Sequence, residues 1–306
     1  MPVDASMNPS LELRDNRLGA LWAIIAAAGF TINGALVRDL ALEGIHPFEI
    51  SFARAGFALL AVLPFLWYQG GAAFRTRHPW THLARAVIGA FAMLCGFYAL
   101  SNMALADVTA LGFTTPLFAT VLAIFFLGET VRWRRWTAIA VGFAGVMLMV
   151  RPGASTFEPV ALVALTCALL IAIALILVKK VPQSDSQVAM LFYFCVCALV
   201  VSGPLAYGVW TDPTPLQWVK MAVIGCLGIG AQYFLIRAFQ VADASYVAPF
   251  DYTRLIFAAA LGFVLFGELP DSWSVAGALV IAVSTFYIAR REAQLSRIAS
   301  RVEPAE

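Results

Sequence analysis

Ten apolar runs, each about twenty residues long, follow one another along the chain with short connections between them. A helix of roughly 20 apolar residues, rising about 1.5 Å per residue, crosses the hydrocarbon core of a bilayer. The runs therefore predict an all-α integral membrane protein with ten transmembrane helices and with the lipid bilayer as a partner. They cover residues 18–37, 48–68, 84–103, 107–127, 134–151, 158–178, 188–209, 218–239, 245–265 and 273–289.

The low content of charged residues excludes a soluble globule. Only 12% of the 306 residues are charged, whereas soluble domains carry about 25%. A net charge of +2 and the lack of basic, aromatic-interleaved polar segments predict no nucleic-acid partner. The sequence has no phosphate-binding loop, and its histidines lack acidic or thiol partners with metal-ligand spacing. The sequence therefore predicts that the protein binds no cofactor and no metal and is not an enzyme. It does not specify the oligomeric state.

The distribution of Lys and Arg predicts the orientation. With ten spans, fifteen of the 20 Lys and Arg residues fall on the side of the termini. Only Arg38, Arg151 and Lys220 fall on the other side, while Arg54 and Arg254 lie inside spans. Because cytoplasmic loops carry the excess of positive charge, both termini are predicted to be cytoplasmic. The predicted location is a bacterial-type inner (plasma) membrane, crossed many times.

An internal repeat divides the chain into two halves of five helices. The segment before Asp107 aligns without a gap on the segment before Asp243, at an offset of 136 residues. Because five is odd, the second half must enter the membrane upside down. Inverted repeats are the architecture of alternating-access carriers, whose substrate site lies between the halves. The features that follow in both halves are Pro116 and Pro249, Gly128-Glu129 and Gly267-Glu268, and Trp136 and Trp273.

The repeat and the apolar runs together predict four segments. The first is a cytoplasmic tail over 1–17, followed by one five-helix repeat over 18–151. The second repeat covers 158–289, and a second cytoplasmic tail covers 290–306.

The order Ala-Asp, Pro, Gly-Glu and Trp, occurring twice, resembles the EamA-type branch of the drug/metabolite transporter superfamily. The resemblance covers about Gly19 to Arg290, and the second copy departs from the pattern at Phe250-Asp251-Tyr252, after its proline. The segments of the first half that carry it are Ala104-Leu105-Ala106-Asp107, Thr115-Pro116-Leu117, Leu127-Gly128-Glu129 and Trp136.

This resemblance implies a secondary carrier of small-molecule substrates that works by alternating access. Members move amino acids, purines, riboflavin, S-adenosylmethionine and metal-chelating metabolites, some inward and some outward. The first expectation is export of amino acids or related metabolites. The alternative is uptake of a cofactor-like solute such as riboflavin or S-adenosylmethionine. An integral-membrane enzyme is a remote alternative, because the acidic residues are scattered over both faces.

The charged residues inside spans are the first candidates for substrate binding, because a charge at the bilayer centre costs about 2.5–3.5 kcal/mol or more. Arg254 lies near the middle of its span, and Asp251 is on the same helical face, three residues earlier. The pair is either a structural ion pair or a substrate site, with Arg254 taking an anion and Asp251 a cation or a coupling proton. Tyr246 lies close enough to stack on a ligand.

Arg54 is the second candidate, about a turn and a half from the outer end of its span. Its long stem favours an interfacial anchor partnered by Glu49, and the other interpretation is a gate or anion contact. Uncharged polar residues in the spans either line a cavity or join helices by hydrogen bonds. These residues are Asn33, Tyr98, Asn102, Gln232 and Tyr233.

Pro116 and Pro249 are predicted to form hinges or kinks at corresponding places of the two halves, because each removes a backbone donor. A packing kink is the simpler interpretation. Thr114 and Thr115 are placed to satisfy the freed carbonyl groups. Glu129 and Glu268, by contrast, are predicted to be solvated helix-end or gate contacts.

Overall fold

The protein is described here by a computed structural model covering residues 16–69, 79–127, 133–154, 158–179, 187–242 and 244–302. Twelve α-helices occupy these ranges. They are α1 Asn16–Leu42, α2 Pro47–Gln69, α3 Pro79–Asn102, α4 Leu105–Gly112, α5 Thr115–Leu127, α6 Trp133–Val150, α7 Val160–Lys179, α8 Gln187–Tyr207, α9 Pro215–Val241, α10 Ala244–Asp251, α11 Thr253–Phe266 and α12 Ser272–Val302.

Within the described ranges, nine stretches are long and apolar enough to cross a membrane. This confirms an all-α membrane protein and nine of the ten predicted spans. The predicted span over 134–151 contains a shorter apolar helix, Trp136–Val150, about 22 Å long. At the other end of the chain, α12 continues to Val302, so the predicted tail over 290–306 is largely helical.

Local sequence explains where α9 begins. The Thr214 hydroxyl accepts a hydrogen bond from Gln217 N, and the Gln217 side chain accepts one from Thr214 N, which is a capping box. Pro215 occupies the first turn, where its missing N–H leaves no bond unmade. The helix then runs through 27 residues.

One predicted span in each half is broken into two helices. The first half breaks between α4 and α5, and the second between α10 and α11, at Tyr252. The predictions of continuous helices over 107–127 and 245–265 are therefore wrong. Pro116 and Pro249 lie within three residues of the breaks, and a proline removes a donor from the helical ladder.

Threonine hydroxyls replace hydrogen bonds at the first break. Pro116 has no N–H to offer Gly112 O, and the Thr115 hydroxyl donates to that carbonyl instead, at 2.8 Å. The Thr114 hydroxyl donates to Leu111 O at 2.6 Å. The first bond confirms the prediction for Thr115. Leu111 O also accepts from Thr114 N, so the role of Thr114 in satisfying a freed carbonyl stays a prediction. The second break has a similar bond, from the hydroxyl of Thr253 in α11.

The largest helix interfaces join the two halves rather than helices of one half. They pair α1 with α9, α2 with α8, α3 with α7, and α6 with α12. In the two repeats, α1 corresponds to α7, α2 to α8, α3 to α9 and α6 to α12. This correspondence converts the α1–α9 pair into the α7–α3 pair. It leaves the α2–α8 and α6–α12 pairs unchanged. A two-fold axis between the repeats produces this pattern.

Leu105, beside the first Ala-Asp turn, and Ala242, the alanine of the second, contact α1 at different levels. A Cβ on Gly34 would lie 3.1 Å from Leu105 Cδ1, and a Cβ on Gly19 would lie 2.2 Å from the Cβ of Ala242. The helix between these glycines is about 22 Å long. Asp243, which follows Ala242, lies outside the described residues.

Small residues allow the closest approach between α6 and α12. A Cβ on Gly277 would lie 2.7 Å from the carbonyl oxygen of Gly145 and 2.9 Å from the Cβ of Met149. The two backbones are therefore in contact, and no side chain fits between them. This kind of packing is common between membrane helices, which gain no hydrophobic driving force from burial in lipid.

Candidate functional site

Arg54 of α2 points into the bundle, between α3 and α9. Its Nη1 lies 2.6 Å from Met93 Sδ, and its Cζ lies 5.5 Å from the centroid of the Phe97 ring. A Cβ on Gly228 would lie 3.0 Å from Arg54 Nη2 and 3.4 Å from Nε. Gly228 is the fourteenth residue from either end of α9, so the guanidinium reaches the middle of that helix.

These contacts favour an interior role for Arg54 over the interfacial anchor. The predicted partnership with Glu49 is wrong, because the fully buried Glu49 carboxylate accepts hydrogen bonds from Thr211 N and the Thr211 hydroxyl. Glu49 lies in the first turn of α2, where the helix dipole favours a negative charge. It therefore attaches α2 to the segment before α9.

Asn33 of α1 lies beside Arg54. Its Nδ2 is 3.4 Å from the position of a Cβ on Gly228, and it donates to Ile224 O of α9 at 2.7 Å. This bond joins α1 to α9, which was one of the two interpretations of Asn33. The side chain is buried, and its other groups remain available to line the same space.

Arg254 and Asp251 form the predicted pair, with 3.8 Å between Arg254 Nη1 and Asp251 Oδ1. About a third of each side chain is exposed. The pair is not saturated, because Asp251 Oδ1 and Arg254 Nε are buried and have no hydrogen-bond partner among the described residues. The guanidinium carbon lies 4.9 Å from the centroid of the Phe30 ring of α1.

The two arginines approach α1 at the same level. Arg254 contacts Phe30, and Arg54 lies beside Asn33, three residues further along α1. Residues three apart on a helix are neighbours separated by about 4.5 Å along its axis. The structure therefore brings Arg54, Asn33 and the Asp251–Arg254 pair to one layer, where α1, α2, α3, α9 and α11 meet.

The remaining candidate residues lie elsewhere or make local contacts. Tyr233 is exposed, and its hydroxyl accepts a bond from Arg237 Nε at 3.2 Å. Asn102 is exposed and donates to Tyr98 O, in its own helix, at 2.8 Å. Tyr98 is half-buried. Gln232 is also half-buried and follows Gly228 by one turn, on the same face of α9.

Tyr246 lies on α10, one turn before Phe250. Its side chain is exposed, and the centroids of the two rings are 5.7 Å apart. Tyr252 faces away from Tyr246 and stacks on Phe113, with 4.8 Å between the ring centroids. Tyr246 as a ligand-stacking residue therefore stays a prediction.

Glu268 joins the two halves at one end of the bundle. Its Oε1 is 3.0 Å from both Nε and Nη2 of Arg38 in α1, and its Oε2 accepts from Leu105 N at 2.9 Å. Gly267 ends α11 with a positive φ of 67°, a conformation that glycine adopts readily. The chain thereby turns Glu268 onto the first N–H of α4. We call the contacts of Arg38, Glu268 and Leu105 the latch.

The prediction that Glu268 is solvated is wrong, since only 15% of its side chain is exposed. Its place at a helix end agrees with the prediction, but the helix that it caps belongs to the other repeat. Glu129, the counterpart of Glu268, lies outside the described residues. The latch was not predicted, because nothing local in the sequence connects positions 163 residues apart.

Two further ion-pair groups lie at the ends of helices. Lys220 of α9 contacts Asp39 and Glu43, at 2.5 Å each, and this contact lowers the pKa of Glu43 from its ordinary value. Arg151 pairs with Asp271. The hydrogen bond from Ser274 N–H is the main cause that lowers the pKa of Asp271, and the contact with Arg151 lowers it further. The three cations predicted on the side away from the termini thus all pair with carboxylates.

A cavity of about 280 Å³ opens beside the Arg151–Asp271 pair. Its polar lining includes Asp107, Glu158 and Ser274, so it is a mainly acidic recess between the helix ends. In the part of the chain that the structure describes, no three His, Cys, Asp or Glu side chains are grouped to hold a metal ion.

These features define a class of protein: a multi-pass membrane protein in which two repeats, each with one broken span, enclose buried charged groups, as in secondary carriers. The chain belongs to the EamA-like transporter family, within the drug/metabolite transporter superfamily. The family matches twice, at residues 17–151 and 159–290, so the protein contains two repeats. It is a membrane transporter and not an enzyme.

Relatives whose names state a transported substrate align with nearly the whole chain. An S-adenosylmethionine uptake transporter of Rickettsia prowazekii is 32% identical over 282 residues, 92% of this chain and 95% of the relative. A riboflavin transporter of Rhizobium johnstonii is 32% identical over 292 residues, 94% and 97% of the two chains. A pseudopaline exporter of Pseudomonas aeruginosa is 30% identical over 274 residues, 89% and 96% of the two.

A solved crystal structure has the same fold. It aligns with a TM-score of 0.58 at 18% identity, over 90% of this chain and 98% of that chain. At this identity the likeness supports the fold alone.

Proposed function

We propose that the protein is an uptake carrier of the bacterial inner membrane for a cofactor-like solute, with S-adenosylmethionine as the first candidate. The observation that carries this proposal is the 32% identity, over 92% of the chain, to the uptake transporter of Rickettsia prowazekii. Riboflavin is the second candidate, because the Rhizobium relative is similar over the same length. Amino-acid export, the first expectation from the sequence, has less support, and the pseudopaline exporter is the relative that favours an outward direction.

The polar layer beside α1 suits a solute with separated charges. S-adenosylmethionine carries a carboxylate, an ammonium and a sulfonium group. Asp251 offers an unsaturated carboxylate, and the Arg254 guanidinium lies 3.8 Å from it. We assign the cationic part of the substrate to Asp251. The predicted proton coupling would use the same carboxylate, since a proton and a cationic substrate compete for one negative charge.

Transport in this proposal uses alternating access by two inverted repeats. The two-fold pattern of helix interfaces and the contacts of Leu105 and Ala242 with α1, about 22 Å apart along that helix, support inversion. The excess of Lys and Arg supports cytoplasmic termini. In a cysteine-free background on intact cells, Asp212→Cys should react with a membrane-impermeant maleimide, and Arg290→Cys should not. The opposite result would reject the orientation.

Uptake into proteoliposomes tests the substrate. Radiolabelled S-adenosylmethionine should accumulate, and unlabelled riboflavin and amino acids in excess should compete less well than unlabelled S-adenosylmethionine. Arg254→Ala should abolish accumulation while membrane insertion is retained. Arg237→Ala is the matched control, because Arg237 is an exposed arginine that contacts Tyr233 and Gln240 on its own helix. Efflux of amino acids without S-adenosylmethionine uptake would reinstate the export alternative.

An imposed pH gradient tests the coupling. If protons drive uptake, an inward proton gradient should raise the initial rate in wild type, and Asp251→Asn should remove the response. A rate that ignores the gradient would reject proton coupling at Asp251 and leave the substrate assignment intact.

A further inference from the structure

The Arg54 guanidinium has no counter-charge in the part of the chain that the structure describes. Among the residues that the structure describes, no carboxylate lies within ion-pair distance of it, whereas Arg38, Arg254 and Lys220 each have one within 4 Å. Its Nε is buried without a hydrogen-bond partner. The contacts that it makes are with the thioether of Met93 and the ring of Phe97.

These contacts do not compensate the charge. A thioether is a weak acceptor, and a guanidinium keeps its proton in proteins. A charge held in the interior without a partner is destabilising, and the half-buried Arg54 side chain reaches the middle of a membrane helix. An anion from outside the described chain would compensate this charge.

The shape of the guanidinium favours a carboxylate as its anion. Nε and Nη2 form one edge, which binds the two oxygens of a carboxylate through parallel hydrogen bonds. This edge faces Gly228, where a Cβ would lie 3.0 Å from Nη2 and 3.4 Å from Nε. Gly228 therefore lets the guanidinium pack against the α9 backbone, and any larger side chain at this position would displace it. The Asn33 amide lies 3.4 Å from the same point and adds a polar wall.

We propose that Arg54, with room made for its guanidinium by Gly228, binds the carboxylate of the transported substrate. The assignment rests on the proposed function, in which the substrate carries both charges. Arg254 is already paired with Asp251, so Arg54 and Arg254 have different roles. The carboxylate of the substrate lies at Arg54 on one side of the polar layer, and its cationic part lies at Asp251 on the other.

Binding to the purified full-length protein tests the assignment. Wild type should bind S-adenosylmethionine roughly 10- to 100-fold more tightly than its methyl ester, as expected for hydrogen bonds to a charged group. Arg54→Gln should reduce this ratio to about one by weakening only the acid. Gly228→Val should also reduce the ratio, while Arg237→Gln should preserve it. Elution as a single species and the unfolding temperature check that each variant is folded.

Several results would overturn the inference. One is an acid-to-ester ratio that survives in a folded Arg54→Gln variant. Another is tight binding of riboflavin, which has no carboxylate, in place of S-adenosylmethionine. If wild type does not bind S-adenosylmethionine, the proposed substrate is wrong. The same comparison is then made with amino acids, the substrates of the export alternative. If wild type binds an amino acid and its methyl ester equally well, Arg54 does not bind the carboxylate of amino acids either.

Discussion

Glu268→Gln should open the latch. Glu268 holds Arg38 with one carboxylate oxygen and the first N–H of α4 with the other, at 2.9–3.0 Å. Glutamine has one acceptor oxygen in place of two, and its NH₂ group must face either the guanidinium or the backbone N–H, both of which are donors. The variant therefore loses the ion pair and creates a donor–donor contact.

The magnitude follows from the burial of the latch. Both side chains are about 15% exposed, so the pair is screened far less than a surface pair. Hydrogen bonds to charged groups contribute about 1.5–3 kcal/mol, and breaking a buried pair costs about 3–5 kcal/mol. Because glutamine keeps one acceptor, we expect a loss of about 2–4 kcal/mol, or roughly 30- to 700-fold in the latch equilibrium.

Two measurements check this prediction. In a cysteine-free background, Ala104→Cys reports exposure of the residue that precedes α4. Its reaction with a maleimide should be faster by at least tenfold in the Glu268→Gln variant, and the unfolding temperature in detergent should fall. Asp271→Asn is the matched control, since its ion pair with Arg151 is 46% and 27% exposed and should contribute about 0–1 kcal/mol. Equal labelling rates in wild type and Glu268→Gln would refute the reasoning.

Two further predictions concern packing and pH. Gly277→Ala should lower the yield of folded protein, because its Cβ would lie 2.7 Å from a backbone carbonyl; Gly230→Ala, with nothing within 4 Å of its Cβ, should be neutral or slightly stabilising. The pKa of Asp271 is lower in the folded state than in the unfolded state. Its negative charge therefore stabilises the folded state at pH values above the unfolded pKa of about 3.9. This contribution is lost as the pH falls through the folded pKa. The unfolding temperatures of wild type and Asp271→Asn should thus differ at neutral pH, by less than those of wild type and Glu268→Gln because the Arg151 pair is exposed, and converge in acid. A difference unchanged by pH, or similar yields for both glycine variants, would contradict these two expectations.

The sequence was sufficient for the features that depend on neighbours along the chain. Apolar runs predicted nine spans that the structure contains, because a bilayer imposes a minimum length on an apolar helix. The spacing of Asp251 and Arg254 predicted their contact, and Thr115 satisfies the carbonyl that Pro116 frees.

Features that depend on distant neighbours could not be predicted. The direction of the Arg54 side chain depends on Gly228, which leaves room for it in α9, and a single sequence does not reveal that α2 and α9 are adjacent. The break between α4 and α5 falls in a continuous apolar run, so hydropathy does not mark it, and only Pro116 signals its vicinity.

The pairing of helices across the two halves has a consequence for biosynthesis. Asn33 donates to a carbonyl 191 residues further along the chain, and ribosomes add about 5–20 residues per second. The amide therefore enters the membrane about 10–40 s before its acceptor has been synthesised. During that interval the polar groups of the early helices must form other contacts, for example with lipid headgroups, water or the insertion machinery. A nascent chain stopped before α9 should therefore be an incomplete bundle and a preferred substrate for membrane proteases.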